Sequence, residues 1–161
     1  MSKPPTTRLS RDNFARVVRL TPLVSIDLIV RNPRGEVLVG LRTNEPARGF
    51  WFVPGGRIGK GERIAAAFAR LTEQELGEAM DLAAARFLGV YEHLYETNFA
   101  MEEGFGTHYV VLGYEITLDG PLLNLPDEQH SGYRWMAPQD ILASDEVHVN
   151  TQAYFTDPQG R

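Results

Sequence analysis

The stretch that most limits what this chain can fold into is residues 55–77, GGRIGKGERIAAAFARLTEQELG. A glycine-rich loop leads into a helix that Glu62 opens and Gly77 closes. At about 100° per residue, Ile64, Phe68 and Leu71 share one side of that helix, and Glu75 falls on the same side. A carboxylate at the end of an apolar stripe is costly to desolvate without a partner. A bound cation is the obvious candidate. The pair Gly55-Gly56, after Pro54, lets the backbone approach a ligand closely, and a carbonyl there suits a hard cation. Glu62 has a plainer role as well, favouring a helix N-terminus, and Arg70 taken alone reads as a solvated side chain.

Around this segment the chain reads as one α+β domain with a mixed β-sheet. Residues 1–9 form a tail, 10–156 the domain and 157–161 a second tail. Ser10 caps a helix running to about Leu20. LVSIDLIVR (23–31) is a strand, the turn Asn32-Pro33-Arg34-Gly35 follows, and EVLVGLR (36–42) returns as a hairpin. FWFV is a short strand ending at Pro54. Strands are expected at 86–95, 107–117 and 133–136, with a long connection over 119–132 and a helix from Pro138 to about Ala143. A chain of 161 residues that is 43% hydrophobic can bury one sizeable core. Its net charge of −5 argues against a general nucleic-acid binder. With no cysteine, thiolate and disulfide chemistry are absent. No apolar run approaches a membrane span, and the N-terminus lacks a signal-peptide core, so the expectation is a cytoplasmic protein.

Gly56, Glu62, Arg70, Glu75 and Gly77 stand in the register of the Nudix hydrolase signature, which the segment resembles. The resemblance implies a Nudix-type α/β/α sandwich. Two positions depart: the family pattern has glutamates where this chain has Leu71 and Gln74. The variant RLTEQELG resembles the GDP-mannose mannosyl hydrolase branch, which cleaves the sugar carbon–oxygen bond. The likeness extends through TPLVSIDLIV, the arginine of GLRTNEPA, GFWFVPGGR, THYVVLGY, LPDEQHSGYRW and ASDEVHVN.

The resemblance implies one Mg2+ per site, with Mn2+ as a substitute, held by the Glu75 side chain, the Gly55 carbonyl and both substrate phosphates. It implies that Arg42, Arg57 and Arg70 neutralise the diphosphate. Asp27 and His93 are then near the sugar, Tyr109 is near the leaving phosphate, and His130 is the general base. The activity implied is hydrolysis of GDP-mannose, and of GDP-glucose, to GDP and the free hexose with inversion, by a homodimer.

The chemistry of the residues runs in parallel. Arginine forks bind phosphate bidentately. A terminal phosphate with a second pKa of about 6 leaves as an anion without a proton donor. A histidine with a pKa of about 6.5 can activate water near neutrality. Asp27, inside an apolar strand, is either paired or facing a cleft. His93 and His108 read equally as packed strand histidines, His108 is taken as structural, and His148 has no assigned role. Trp51 and Phe52 read as core. Two competing readings remain at this stage: a phosphorus-attacking Nudix pyrophosphatase, and a non-catalytic nucleotide-sugar sensor.

Overall fold

The computed structural model describes residues 8–125 and 130–156, apart from the side chains of His130 and Ser131. Residues 1–7 of the expected N-terminal tail (1–9), the expected tail at 157–161, and Pro126–Gln129 of the long connection lie outside the described residues.

Strand β1, Leu23–Arg31, organises the sheet. Side chains alternate across a strand, which sends Ile26, Leu28 and Val30 to one face and Ser25, Asp27 and Ile29 to the other. Nearly all of these positions are buried, which marks a central strand covered on both faces. Strand β6 (Thr107–Thr117) runs parallel to β1 in register from Leu23↔Tyr109 to Arg31↔Thr117. Strand β5 (Arg86–Tyr95) pairs antiparallel with β6 at the edge. On the other side of β1, β2 (Val37–Arg42) pairs near Arg31, and β4 (Gly55–Arg57) pairs over Ser25–Asp27. Strands β3 (Trp51–Phe52) and β7 (His130–Met136) both pair with β2. The result is a seven-stranded mixed sheet.

Two cores cover its faces. Helix α2 (Ile64–Leu76) packs Ala67, Phe68, Leu71 and Leu76 on Ile26, Leu28, Val30 and Leu38. On the opposite face Ile29, Val37, Val39 and Val53 meet Ile141 of helix α3 (Pro138–Ala143) and Val147 beyond its end. Helices on both faces give the expected sandwich. Helix α1 (Arg11–Leu20) is capped by the Ser10 hydroxyl, which accepts from the Asn13 N–H at 3.2 Å. Among the described residues no helix is long and apolar enough to cross a membrane.

Several expectations need correction. Helix α2 starts at Ile64 rather than Glu62, and Ile64 is 41% exposed rather than on the buried stripe. Glu62 instead accepts from the Gly59 N–H at 2.9 Å, holding the preceding turn. Gly55–Arg57, read as loop, is strand β4 because β1 has an open edge there. His130, read as part of a loop, begins β7, and its backbone pairs with Arg42. A short helix α4 (Val149–Gln152) and a 3-10 turn over 153–155 were not anticipated. They carry little periodicity and are held by tertiary bonds such as Gln152 Nε2 donating to the Ile141 carbonyl at 2.9 Å.

Candidate active site

Asp27 sits between two glycines in the sheet. In register across the sheet, Gly55 of β4 lies beside Asp27 of β1, which lies beside Gly113 of β6. A Cβ on Gly55 would run into the Ile26 carbonyl and the Asp27 carboxylate. A Cβ on Gly56 would strike the Leu71 side chain, so the glycine pair is demanded by close approach. The cleft encloses about 260 Å³ and is lined by Asp27, Arg42, Gly55, Arg57, Glu75, His93 and Tyr109 among others. Seven of the nine residues singled out from the sequence therefore face a single cavity. Its wall also includes Ser25, Thr43, Asn44 and Tyr95, which sequence reasoning missed.

Asp27 is the most perturbed carboxyl among the described residues. Burial raises its pKa from 3.8 to about 7, a rise that a hydrogen bond from Tyr154 and the charge of Arg42 only partly oppose. Tyr154 Oη donates to Asp27 Oδ2 at 2.7 Å. The tyrosine ring packs edge-on against Tyr91 at 4.6 Å, in space that a side chain at Gly113 would crowd. Of the two readings left open for Asp27, both apply: it is paired on one side and faces the cleft on the other. His93 is buried, and burial followed by the charge of His148 lowers its pKa to about 4. The imidazole is thus neutral at pH 7. Its buried Nε2 has no hydrogen-bond partner among the described residues, and an orphaned nitrogen on a cleft wall is a group that a ligand hydroxyl can satisfy. Burial raises the pKa of Tyr109 as well, and that of Tyr95 to about 12, so both phenols remain donors.

Glu75 is 3% exposed yet lies on the cleft wall. Of the two positions where the family signature has further glutamates, Leu71 is 2% exposed in the core and Gln74 accepts from Arg70 Nη1 at 3.0 Å. Helix α2 thus offers the cleft one carboxylate. Glu75 and the Gly55 carbonyl are hard oxygen donors, as Mg2+ prefers. No group of three or more His, Cys, Asp or Glu side chains is gathered for a metal among the described residues. That donor set fits a cation whose shell is completed by substrate phosphates rather than an all-protein cage.

Arg70 is placed differently from the expectation that it meets a diphosphate. It does not line the cleft. Its Nε and Nη2 donate to the two Glu62 oxygens at 2.8 Å each, and Nη2 also donates to the Arg57 carbonyl at 2.8 Å. This fork clamps the 57–62 turn onto α2. His148, unassigned from sequence, caps α4: its Nδ1 accepts from the Asn150 N–H at 3.1 Å, and its ring stacks on Phe52 at 4.7 Å. Phe52 itself is buried but also lines the cleft, and Trp51 is only partly buried. The side chain of His130 lies outside the described residues; its backbone sits opposite Arg42 on the cleft-lining end of β2.

A family model for the NUDIX domain matches residues 21–157. The chain belongs to the Nudix family. It is 43% identical over 135 residues to the low-salt glycan biosynthesis protein Agl8 of Haloferax volcanii, covering 83% of each chain. Its fold is similar to that of a MutT protein from Methanosarcina mazei (TM-score 0.67, 19% identity, 86% of this chain and 94% of that one). A MutT NUDIX hydrolase from Burkholderia pseudomallei is also similar (TM-score 0.66, 24% identity, 84% and 96% coverage). The protein is an enzyme of the Nudix hydrolase family, whose members generally use a divalent cation, typically Mg2+. The cleft described above lies within the matched Nudix residues.

Proposed function

We propose that the protein is a Mg2+-dependent hydrolase of GDP-mannose, with GDP-glucose as a second substrate, releasing GDP and the free hexose by water attack at the anomeric carbon with inversion. The observation that carries this reading is the single cleft carboxylate of α2, with Leu71 in the core and Gln74 bound to Arg70. Attack on phosphorus in this family draws on the glutamates that stand at those positions. The 43% identical relative is named for glycan biosynthesis, which supports a sugar-nucleotide substrate.

Arg42 and Arg57 reach the cleft and are assigned to the diphosphate. Glu75 and the Gly55 carbonyl are assigned to the cation, which when bound neutralises charge on the departing nucleoside diphosphate. Asp27 and the neutral His93 are assigned to sugar hydroxyls, and Tyr109 to the leaving phosphate as a neutral donor. His130 is assigned as general base, on the grounds that β7 brings its backbone beside Arg42. Water on the opposite face of the sugar from the leaving group gives inversion. Arg70 is assigned to holding the turn through Glu62. A homodimer and a cytoplasmic location belong to the same proposal.

The test is turnover of a panel of nucleotide sugars with Mg2+ in oxygen-18 water. Label in the hexose is expected. Label in a phosphate would establish the phosphorus-attacking pyrophosphatase instead, and no turnover of any member would favour the sensor.

A further inference from the structure

Arg57 stands on the cleft wall, and it rests on an aromatic ring from a different part of the chain. Its guanidinium carbon lies 3.9 Å above the centroid of Phe14, in helix α1. Phe14 has a second aromatic neighbour: Phe99, in the loop between β5 and β6, packs against it at 4.6 Å between centroids with the rings inclined by 34°. Arg11 lies 5.2 Å over the Phe99 ring.

The loop that supplies Phe99 is tightly built. Asn98 is fully buried. Its Nδ2 donates to the carbonyls of Glu102 and Phe105 at 2.9 Å each, and its Oδ1 accepts from the N–H groups of Ala100 and Glu102 at 3.1 and 3.2 Å. The Thr107 hydroxyl, donating to the Thr97 carbonyl at 2.7 Å, ties the loop ends together. Four of the side-chain bonds in this loop thus converge on the residue preceding Phe99, and the ring is presented from a fixed base. The backbone of Arg57 is fixed too, by pairing with Ser25 and by the bond from Arg70 to its carbonyl.

We propose that Phe14 is a positioning residue for Arg57, backed by Phe99 and the Asn98-pinned loop, so that helix α1 and the 96–106 segment set the phosphate-binding edge of the cleft. A guanidinium lying on a ring face keeps its N–H donors in the plane, where a phosphate can take two of them at once. The ring removes the rotamers in which a long, exposed arginine would swing into solvent, so less freedom is lost when the anion arrives. The 96–106 segment then acts on substrate through two packed rings rather than by closing over the cleft. The inference rests on the proposed function only in taking Arg57 to meet the phosphates of a nucleoside diphosphate.

The experiment reads GDP binding by titration calorimetry with Mg2+, so it does not depend on which sugar is cleaved or on which atom is attacked. Phe14→Leu is expected to weaken GDP binding about 3- to 30-fold, the range of a guanidinium–aromatic contact, while Phe14→Tyr keeps wild-type affinity. Phe99→Leu is expected to weaken binding by less. In an Arg57→Ala background Phe14→Leu is expected to cost nothing further. Additive losses in the double variant, or wild-type affinity in Phe14→Leu, would overturn the proposal. The Arg57 Nε–H resonance supplies a reading that needs no ligand: the Phe14 ring current shifts it in the wild type and in Phe14→Tyr, and the shift is lost in Phe14→Leu. An unshifted wild-type resonance would also overturn it. GDP binding with this coupling, but no nucleotide-sugar turnover, would remove the proposed substrate and leave the positioning role standing.

Discussion

Replacing Arg70 with alanine separates a phosphate ligand from a structural clamp. In the folded protein the Arg70 guanidinium makes two 2.8 Å bonds to Glu62, one at 3.0 Å to Gln74 and one at 2.8 Å to the Arg57 carbonyl. The Glu62 side chain is only 3% exposed, whereas that of Arg70 is 37% exposed. Removing the guanidinium leaves the Glu62 side chain with the Gly59 N–H as its one remaining hydrogen-bond partner among the described residues. Breaking a fully buried ion pair costs about 3–5 kcal/mol. Water can reach the space Arg70 vacates, which lowers the expected loss to about 2–3 kcal/mol. At about 2–4 °C per kcal/mol for a domain of this size, Tm at pH 7 should fall by about 4–12 °C, read by circular dichroism. Adding Glu62→Gln to Arg70→Ala should recover part of the loss, because a stranded amide is cheaper than a stranded carboxylate. Hydrogen bonding from Arg70 lowers the Glu62 pKa below 4.5. The pair therefore stabilises the fold above pH 4.5, and the gap between wild type and Arg70→Ala should shrink as pH falls below that value. A variant with wild-type Tm and collapsed substrate affinity would refute the clamp and return Arg70 to the phosphates.

Other expectations follow from the same geometry. Asp27 has its pKa raised from 3.8 to about 7 by burial, so in the metal-free protein its ionisation opposes folding fully above pH 7 and not at all below about pH 4. Asp27→Asn should accordingly be more stable than wild type at pH 8 in chelator, with the difference vanishing toward pH 4; a difference independent of pH would contradict this account. Glu75→Gln should sharply weaken the Mg2+ dependence of turnover, and a wild-type Mg2+ titration would exclude Glu75 as a ligand. His130→Gln should lower kcat by roughly 10²-fold or more with a smaller change in KM; an unchanged kcat would remove it as the base.

Much of the cleft was legible because it is written in local patterns. A lone carboxylate inside the apolar strand 23–31 marked Asp27 as either paired or facing a cleft, and the strand places it on the face opposite Ile26 and Leu28. Period 3.6 in α2 put Glu75 on the side of Phe68 and Leu71, and Gly77 ends that helix at φ 89°, where a side chain would be strained and would collide with the Asn124 carbonyl. The glycine pair was legible for the same reason, since close backbone approach has few other solutions. Even there the short range misled: Glu62 looked like a helix start by its charge, but its bonds go to Gly59 and to Arg70, eight residues on.

Apart from β4 and the segment that carries Tyr154, which took their form from tertiary pairing, the sequence by itself determined most of the strands and the central helix that carry the cleft, and the residue types available to it. Those follow from repeats of two and 3.6 residues and from the backbone needs of glycine, all of which operate within a few positions. Only the tertiary structure decided what each functional side chain rests against. Tyr154 reaches Asp27 across 127 positions, and Phe14 reaches Arg57 from a helix that precedes the sheet. Such pairings depend on how β1, β6 and β5 stack in register and on where the two ends of the domain return to that sheet. Local periodicity holds no record of those long-range distances, so the scaffold could be read from the chain while the partners that tune its charges could not.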